Sequence, residues 1–466
     1  MANPDFLFSR EVRPTMLGPL NVQGTTTRIK HHGESLAFAK LDRSLQVIAT
    51  DKNVVESMKI LTPGVIALFG GVLAERPPEN INPKEALINH LAGVELVADD
   101  LKDVITPEFH PEGITWESVL NSNHFNERQY LEITRMPQFQ RLMAMRHGIK
   151  ESFLKLFTDR GYTDIHIPSL TTSVAESGAE QFIMHGQTGE LSLVQSPQQI
   201  KQMLAEVYGA VVCVSSAFRN DPSTTPWHLS EFTGLDMERQ VHSRDKDKAL
   251  QEIMNELTDA ISIIHAEVLR HPQVMKDFNK KGVDAILPLL PPEGIPSFTF
   301  DQAMKMASES HIKDWKGEWD RAAEKAVATV VKETYKSDYY YVTKFPFNEK
   351  VFYTDTVNLD DPNTLTYSFD LVCKGVEMTS GGLRVNDPEK LRRQMEMKGV
   401  KPEQVAIYLQ HFQRGASQTG GFGAGLDRHM ALILGSTGIL AEGTGFEPVP
   451  PLRENGFRNR RFEPLS

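Results

Sequence analysis

The sequence predicts an α+β protein: a small closed β-barrel followed by an antiparallel sheet flanked by helices. Three observations predict it. Short strand-like runs separated by Gly, Asp and Asn fill residues 18–105. At Phe139 the apolar spacing changes to that of a helix. Beyond it, strands return mainly as hairpins, with helices grouped between them rather than alternating one for one.

In the first region the runs are Asn21–Lys30, Ser35–Leu41, Leu45–Thr50, Gly64–Leu73 and Val94–Val97. Five short strands with turn residues between them fit a small closed barrel such as an OB-fold. Segment 74–92 (AERPPENINPKEALINHLA) interrupts it as an irregular or partly helical insertion. We place the first domain at 1–105, a Pro-, Glu- and Asn-rich linker at 106–138, and the second domain at 139–466.

The second domain opens on Leu142, Met145, Ile149, Phe153 and Leu156, three and four residues apart, and Gly161 stops that helix. A strand at Tyr162–Ile167 and a short one at Leu191–Val194 follow, then a helix opening at Ser196–Pro197. Val211–Phe218 and Leu229–Val241 read as two long strands flanking a turn, and Lys246–Leu269 as a helix. Residues of about 271–335 form a mixed, helical insertion. Strands return at Tyr339–Thr343, Val351–Thr354 and Thr366–Lys374. Helices start at Asp387 and Pro402, and a Gly-rich strand runs into a helix at 420–428.

A chain of 466 residues is too long for one ordinary core; at roughly 100–200 residues per domain, two or three are expected. No apolar run approaches the ~20 residues that span a bilayer. The N-terminus lacks the basic start and apolar stretch of a signal peptide. Two cysteines, Cys213 and Cys373, lie outside any CxxC pattern, which argues against a disulfide framework or a thiolate zinc site and for a reducing compartment. A cytoplasmic location without membrane association is the expectation. Net charge is −11, from 61 acidic and 50 basic residues, an argument against nonspecific nucleic-acid binding but not against a local basic patch. Arg392–Arg393 and Arg458, Arg460 and Arg461 read as solvated surface.

Two segments carry chemistry. In Glu231-Phe232-Thr233-Gly234-Leu235-Asp236, strand alternation puts Phe232, Gly234 and Asp236 on one face. An aromatic ring, a glycine and a carboxylate make poor core. They suit a floor on which a flat ligand stacks while a cation meets the acid; a half-solvated strand fits equally. In Gly420-Gly421-Phe422-Gly423-Ala424-Gly425-Leu426-Asp427-Arg428, alternate glycines let a ligand approach the backbone, and Arg428 opens the next helix. Neither a Walker loop nor a dinucleotide-binding βαβ unit fits the spacing.

Together with the helix and strand at Phe139–Pro168, these segments resemble the three signature motifs of class II aminoacyl-tRNA synthetases, and most nearly aspartyl-tRNA synthetases of the archaeal and eukaryotic-cytosolic kind. The resemblance covers about 130–445, and residues 18–105 fit that family's anticodon-binding barrel more loosely. It implies a six- to seven-stranded antiparallel sheet, ATP and Mg²⁺ as cofactors, L-aspartate and tRNA as partners, and a homodimer.

By the same resemblance Arg219 binds the α-phosphate, and Phe232 and Arg428 sandwich adenine. Both arginines are the expected catalytic residues, and Asp221, His228, Leu229, Glu377 and Gly425 complete the ATP site. Asp370, Glu377 and Ser380 match the segment that holds Mg²⁺, whose preference for hard oxygen ligands they suit. Taken bare, two acids seven residues apart more often mark a solvated strand end. Gln198 and Lys201, in Gln195-Ser196-Pro197-Gln198-Gln199-Ile200-Lys201, and Ser380 match aspartate contacts. Arg384 matches the arginine that forks onto the side-chain carboxylate, and Asp236 and Glu176 match the acids that meet the ammonium. Asparagine-specific relatives tend to carry Glu in place of Asp236. The implied reaction needs no acid or base: the substrate carboxylate attacks the α-phosphorus, while the site aligns and neutralises charge.

The pattern breaks elsewhere. Asn220-Asp221 stands where the family has x-Glu, and Trp227 where an arginine grips the γ-phosphate. Lys350-Val351 replaces Arg-Pro, Lys40–Arg43 lacks the usual barrel pair, and Gly445–Arg453 differs from the usual C-terminus. Three readings stay open: an aspartate–tRNA ligase, a diverged ligase passing activated aspartate to a small non-tRNA acceptor, and a non-catalytic binder of adenylate or tRNA. The attached barrel favours the first.

Overall fold

A computed structural model describes residues 7–8, 12–42, 45–61, 65–81, 91–105, 133–134, 136–171, 181–186, 189–220, 229–278, 287–291, 293–313 and 315–435. The chain divides into two compact units, Met1–Thr115 and Trp116–Ser466.

In the first unit, β1 (Leu7–Phe8), β2 (Gly18–His31), β3 (Ala37–Leu41) and β4 (Leu45–Ala49) precede a helix, α1 (Lys52–Ser57). β5 (Ile66–Glu75) and β6 (Val94–Ile105) complete it. Pairing runs β2–β3–β4–β6–β5, and β5 returns to β2, so the sheet closes into a five-stranded barrel with β1 added along β2. Alternation drives this: in β3 and β4 every second residue is buried, and Ala37, Ala39, Leu41, Leu45, Val47 and Ala49 join Val22, Phe69 and Leu96 in one core. α1 is started by Asp51, whose carboxylate accepts from the backbone N–H groups of Asn53 and Val54.

The second unit begins with α2 (Pro137–Thr158), which has Pro at its first position and is ended by Gly161 at φ +86°. Then come β7 (Thr163–Asp164), β8 (Leu170–Thr171), β9 (Ile183–Gly186), β10 (Gly189–Leu193), α3 (Gln198–Tyr208), β11 (Ala210–Phe218) and β12 (Glu231–Gln240). They are followed by α4 (Lys246–Leu269), α5 (Pro272–Phe278), β13 (Ser297–Thr299), α6 (Phe300–Glu309), α7 (Arg321–Tyr335) and β14 (Tyr339–Thr343). β15 (Ser368–Cys373), β16 (Val376–Leu383), α8 (Pro388–Met397), α9 (Ala406–Gln413), β17 (Thr419–Gly425) and α10 (Leu426–Ile433) close the unit.

One sheet organises it, in the order β13–β14–β15–β16–β17–β12–β11–β7. The six central strands are antiparallel, and only the short edge strands β13 and β7 pair in parallel. The sheet is therefore wider than the expected six to seven strands by those two short edges. Its buried face carries Leu235, Met237, Phe369, Leu371, Phe422 and Ala424, packed against Leu142, Met145, Ile149 and Phe153 of α2 and Ile253, Leu257, Ile261 and Ile264 of α4. The other face is partly covered by α6 and α7, through Ala303, Ala307, Val327 and Val331 on Tyr340, Val342 and Val372.

Two expected strands fall short. Tyr162–Ile167 is paired only over Thr163–Asp164, because it lies at the sheet's edge and leads to Pro168. Val351–Thr354 is no strand: Phe352 and Tyr353 are consecutive and both buried, in a satellite core with Leu391, Met395 and Tyr408. A strand cannot send neighbouring side chains to one face.

Two buried histidines link this architecture to pH. His265 of α4 shares a 2.9 Å hydrogen bond with the Tyr339 hydroxyl, and His429 Nδ1 lies 2.8 Å from the Gly425 carbonyl oxygen. Burial drives both imidazoles down to about 4; His429 and Lys374 add to the fall at His265, while at His429 the bond to the Gly425 carbonyl pulls back and Arg428 adds to the fall. The unfolded chain therefore binds protons that the folded one refuses. We expect stability to fall as pH drops from about 6.5 to about 4, by a few kcal/mol, and to flatten below that as far as these groups contribute. Urea unfolding across this window checks it, and a His265→Gln variant should lose part of the slope.

Candidate functional site

Cross-strand registry builds the site. On the face opposite the main core, Asp236 of β12 pairs with Gly423 of β17, Gly423 with Ser380 of β16, and Ser380 with Asp370 of β15. Three inter-strand steps separate the two acids, about 14 Å at the usual spacing. One end of this row holds buried acid–base pairs, the other a carboxylate cluster.

At the first end Lys201 of α3 donates to Asp236 Oδ1 at 2.8 Å and to the Phe422 carbonyl oxygen at 2.9 Å. One row further, Glu238 accepts from Arg384 Nε (3.1 Å) and Nη2 (3.2 Å), from Gln198 Nε2 (3.2 Å) and from Thr419 Oγ1 (2.8 Å). Arg384 Nη2 also reaches the Gly421 carbonyl oxygen at 3.1 Å. These charges are deeply buried, with exposures of 1% for Lys201, 5% for Asp236 and Arg384, and 0% for Glu238. Buried charges survive only when paired, and here each has its counter-ion. Among the described residues these bonds leave one ammonium N–H of Lys201 and the Nη1 group of Arg384 without a hydrogen-bond partner.

The structure thus brings together Gln198, Lys201, Asp236 and Arg384. The expected fork of Arg384 is directed at Glu238. Glu238 was not singled out in the sequence, although the alternation that places Phe232, Gly234 and Asp236 on one face places it there too. The glycines also differ in what lies over them. A Cβ on Gly421 would stand 2.4 Å from Glu238 Oε2, and one on Gly423 2.8 Å from Asp236 Oδ1. At Gly425 it would meet only Arg428, at 3.8 Å or more. Close approach by a ligand is left to that end of β17.

An aromatic surface lies further along β12, at Phe232. The Arg219 guanidinium stands over the Phe232 ring at 5.4 Å, and its Nε finds no hydrogen-bond acceptor among the described residues. Leu229 stands just before β12. Arg428, at the start of α10, donates from Nη1 to the Glu377 carbonyl oxygen at 3.1 Å. Below it Asp427 accepts from the Thr233 amide at 2.7 Å and from Arg146 at 3.2 Å, tying α10 to β12 and α2.

At the second end, Asp370 and Ser380 are bonded cross-strand partners. The β15–β16 pairing shifts register between Leu371 and Val372. That irregularity leaves Met378 in the core and brings Glu377 into electrostatic contact with Asp370. Lys350 holds both Asp370 oxygens, at 2.6 and 2.7 Å. Burial raises the Asp370 carboxyl, Lys350 pulls it back, and Glu377 adds to the rise. Glu324 of α7, which no sequence motif marked, is pushed up to about 8 by burial and then by Glu377 and Asp370. A strong demand for positive charge at this end follows. Two carboxylates and a hydroxyl are the hard oxygen donors that suit Mg²⁺, with nucleotide phosphates completing the shell. No group of three His, Cys, Asp or Glu among the described residues is itself arranged to hold a metal.

Glu176, Asp221, Trp227 and His228 lie outside the described residues, as do residues 106–132 of the expected 106–138 linker and the C-terminal segment from 436.

The antiparallel sheet, with ion pairs and glycines at its centre and arginines at its rim, defines the catalytic domain of a class II synthetase. The chain belongs to the family of class II tRNA synthetases (D, K and N), whose pattern matches residues 121–441. It is 29% identical over 328 residues to the cytoplasmic aspartate–tRNA ligase 1 of Dictyostelium discoideum, covering 68% of this chain and 54% of that one. It is 28% identical over 410 residues to the aspartate–tRNA(Asp) ligase of Thermoplasma volcanium, covering 85% and 87%. The chain thus spans about half the length of the Dictyostelium relative and more of the archaeal one. In fold it is similar to a putative aspartyl-tRNA synthetase from Leishmania major, with TM-score 0.77, 20% identity and coverage of 94% and 93%. An asparaginyl-tRNA synthetase from Pyrococcus horikoshii, solved with asparaginyl-adenylate, gives TM-score 0.73 at 20% identity and coverage of 93% and 95%. No described helix is long and apolar enough to cross a membrane.

Proposed function

We propose that the second unit binds L-aspartate and ATP with Mg²⁺, forms aspartyl-adenylate, and passes the activated residue to the 3′ end of tRNA(Asp). The observation that carries this is the buried Lys201–Asp236 pair beside Arg384, on strands thinned by glycine. A ligand with an ammonium and a carboxylate can insert into such a pair, ammonium on Asp236 and carboxylate on Lys201, so that no charge is left uncompensated. The available Nη1 group of Arg384 gives the side-chain carboxylate a second cation. Glu176 is the proposed second acid for the ammonium, with Gln198 and Ser380 lining the pocket.

Nucleotide lies along the row towards Asp370. Phe232 and Arg428 take adenine, Arg219 the α-phosphate, and Asp221, His228, Leu229 and Gly425 the rest of the ATP surface. Asp370, Glu377 and Ser380 would hold Mg²⁺, which supplies neutralisation of phosphate charge. In the reaction the aspartate α-carboxylate oxygen bonds to the α-phosphorus as the bond to pyrophosphate breaks. The chain's own residues align these groups and exclude water.

The substitutions at Asn220-Asp221 and Trp227 favour a second reading, in which activated aspartate goes to a small non-tRNA acceptor. One assay separates the two. We expect ATP–pyrophosphate exchange with aspartate and Mg²⁺, weaker exchange with asparagine, and charging when total tRNA is added. Exchange without charging would transfer the proposal to the second reading, and no exchange with any amino acid would sink both. Family members are generally homodimers, and molar mass by light scattering tests that arrangement here.

A further inference from the structure

At the carboxylate end one contact has no counterpart among the assigned roles. Lys350 follows a single 3-10 turn, Phe347–Glu349, and stands just before the segment that fails to form a strand. Its ammonium lies 2.6 and 2.7 Å from the two Asp370 oxygens and 3.9 Å from the centre of the Phe345 ring. The side chains of Lys350 and Asp370 are 11% and 8% exposed. Phe345, Phe347 and Phe352 are buried on either side along the chain, so the lysine is held by a fixed backbone rather than by a loose surface loop.

The surroundings explain why a cation belongs there. Asp370 feels Glu377, and Glu324 feels both, so three carboxyl groups share one end of the site. The nearby guanidinium of Arg428 is bonded to a backbone carbonyl of Glu377. Besides the Ser380 hydroxyl, Asp370 is bonded to Lys350, the cation that engages both its oxygens. Those are the same oxygens a hard divalent ion would use.

We propose that Lys350 is the resident cation of this site. It occupies on Asp370 the position a divalent ion would take, so the ligand-free protein binds metal weakly, and the metal arrives with the nucleotide, on Glu377 first and on Asp370 as Lys350 gives way. This rests on the reading of Asp370 and Glu377 as the metal end of an ATP site.

Mn²⁺ binding to the full-length protein, followed by electron paramagnetic resonance without amino acid or tRNA, tests it. Removing the competing ammonium in Lys350→Met should tighten Mn²⁺ binding roughly tenfold or more, within the range by which neighbours of a metal site tune affinity. Lys350→Arg should stay near wild type, and Lys350→Met combined with Asp370→Asn should lose the gain. Equal affinity in wild type and a folded Lys350→Met, or a gain that survives Asp370→Asn, overturns the proposal. Should Lys350→Met not fold, the wild type still decides. A non-hydrolysable ATP analogue should strengthen Mn²⁺ binding strongly, and a tight site without it overturns the idea. Because aspartate is absent throughout, failure of aspartate-dependent exchange is a separate result that counts against the proposed function alone.

Discussion

Arg384→Ala is expected to abolish aspartate-dependent pyrophosphate exchange and to destabilise the fold by about 3–5 kcal/mol, the usual cost of stranding a buried charge. Both effects come from one side chain. In the proposed function its Nη1 group takes the side-chain carboxylate, while Nε and Nη2 neutralise Glu238, which is 0% exposed. The two consequences are separable. Adding Glu238→Gln to Arg384→Ala removes the stranded charge, so urea unfolding should recover much of the lost stability while exchange stays absent. Exchange that persists in Arg384→Ala would refute its role towards aspartate. A double variant no more stable than the single one would refute the charge argument.

Gly421→Ala should be nearly as damaging, for a steric reason. Its Cβ would stand 2.2 Å from the Met237 carbonyl oxygen and 2.4 Å from Glu238 Oε2. The first neighbour is backbone of β12, and β17 is paired on both sides, with β12 and with β16, so the strand cannot shift alone. Overpacking of this kind typically costs about 1–3 kcal/mol, and here it also dislodges the Glu238 carboxylate from Arg384. Gly425→Ala is the comparison, since its Cβ would make only ordinary contacts with Arg428. We expect a clear drop in melting temperature for Gly421→Ala and a much smaller one for Gly425→Ala. Equal effects would mean that the strand tolerates displacement.

Much of this molecule was legible residue by residue. The barrel strands, α2 and α4 follow from periodicity, because which face a side chain takes is a local property of a helix or a strand. The alternating glycines and the Phe232–Asp236 face were visible for the same reason. Legibility failed at edges and irregularities. The run Val351–Thr354 has strand composition, but its side chains pack against α8 and α9, and packing overrides propensity. Glu377 reaches Asp370 only because the β15–β16 register shifts, and Glu324 joins them from the helical insertion.

What the sequence by itself determined is the framework and the family: an antiparallel sheet with glycine-rich strands, and the motifs of a class II synthetase. What only the tertiary structure decided is which charge meets which. Arg384 and Glu238 are 146 residues apart, and Lys201 and Asp236 belong to a helix and a strand. Strand order and registry bring such groups within 3 Å or so, the range in which hydrogen-bonded charge pairs form. In a buried site that distance decides whether a charge is held in reserve for a ligand or spent on the fold. Arg384 serves the fold through Nε and Nη2, which hold Glu238, and in the proposed function its Nη1 group serves the pocket. Lys350, which the sequence showed only as a departure from a familiar pattern, becomes a counter-ion.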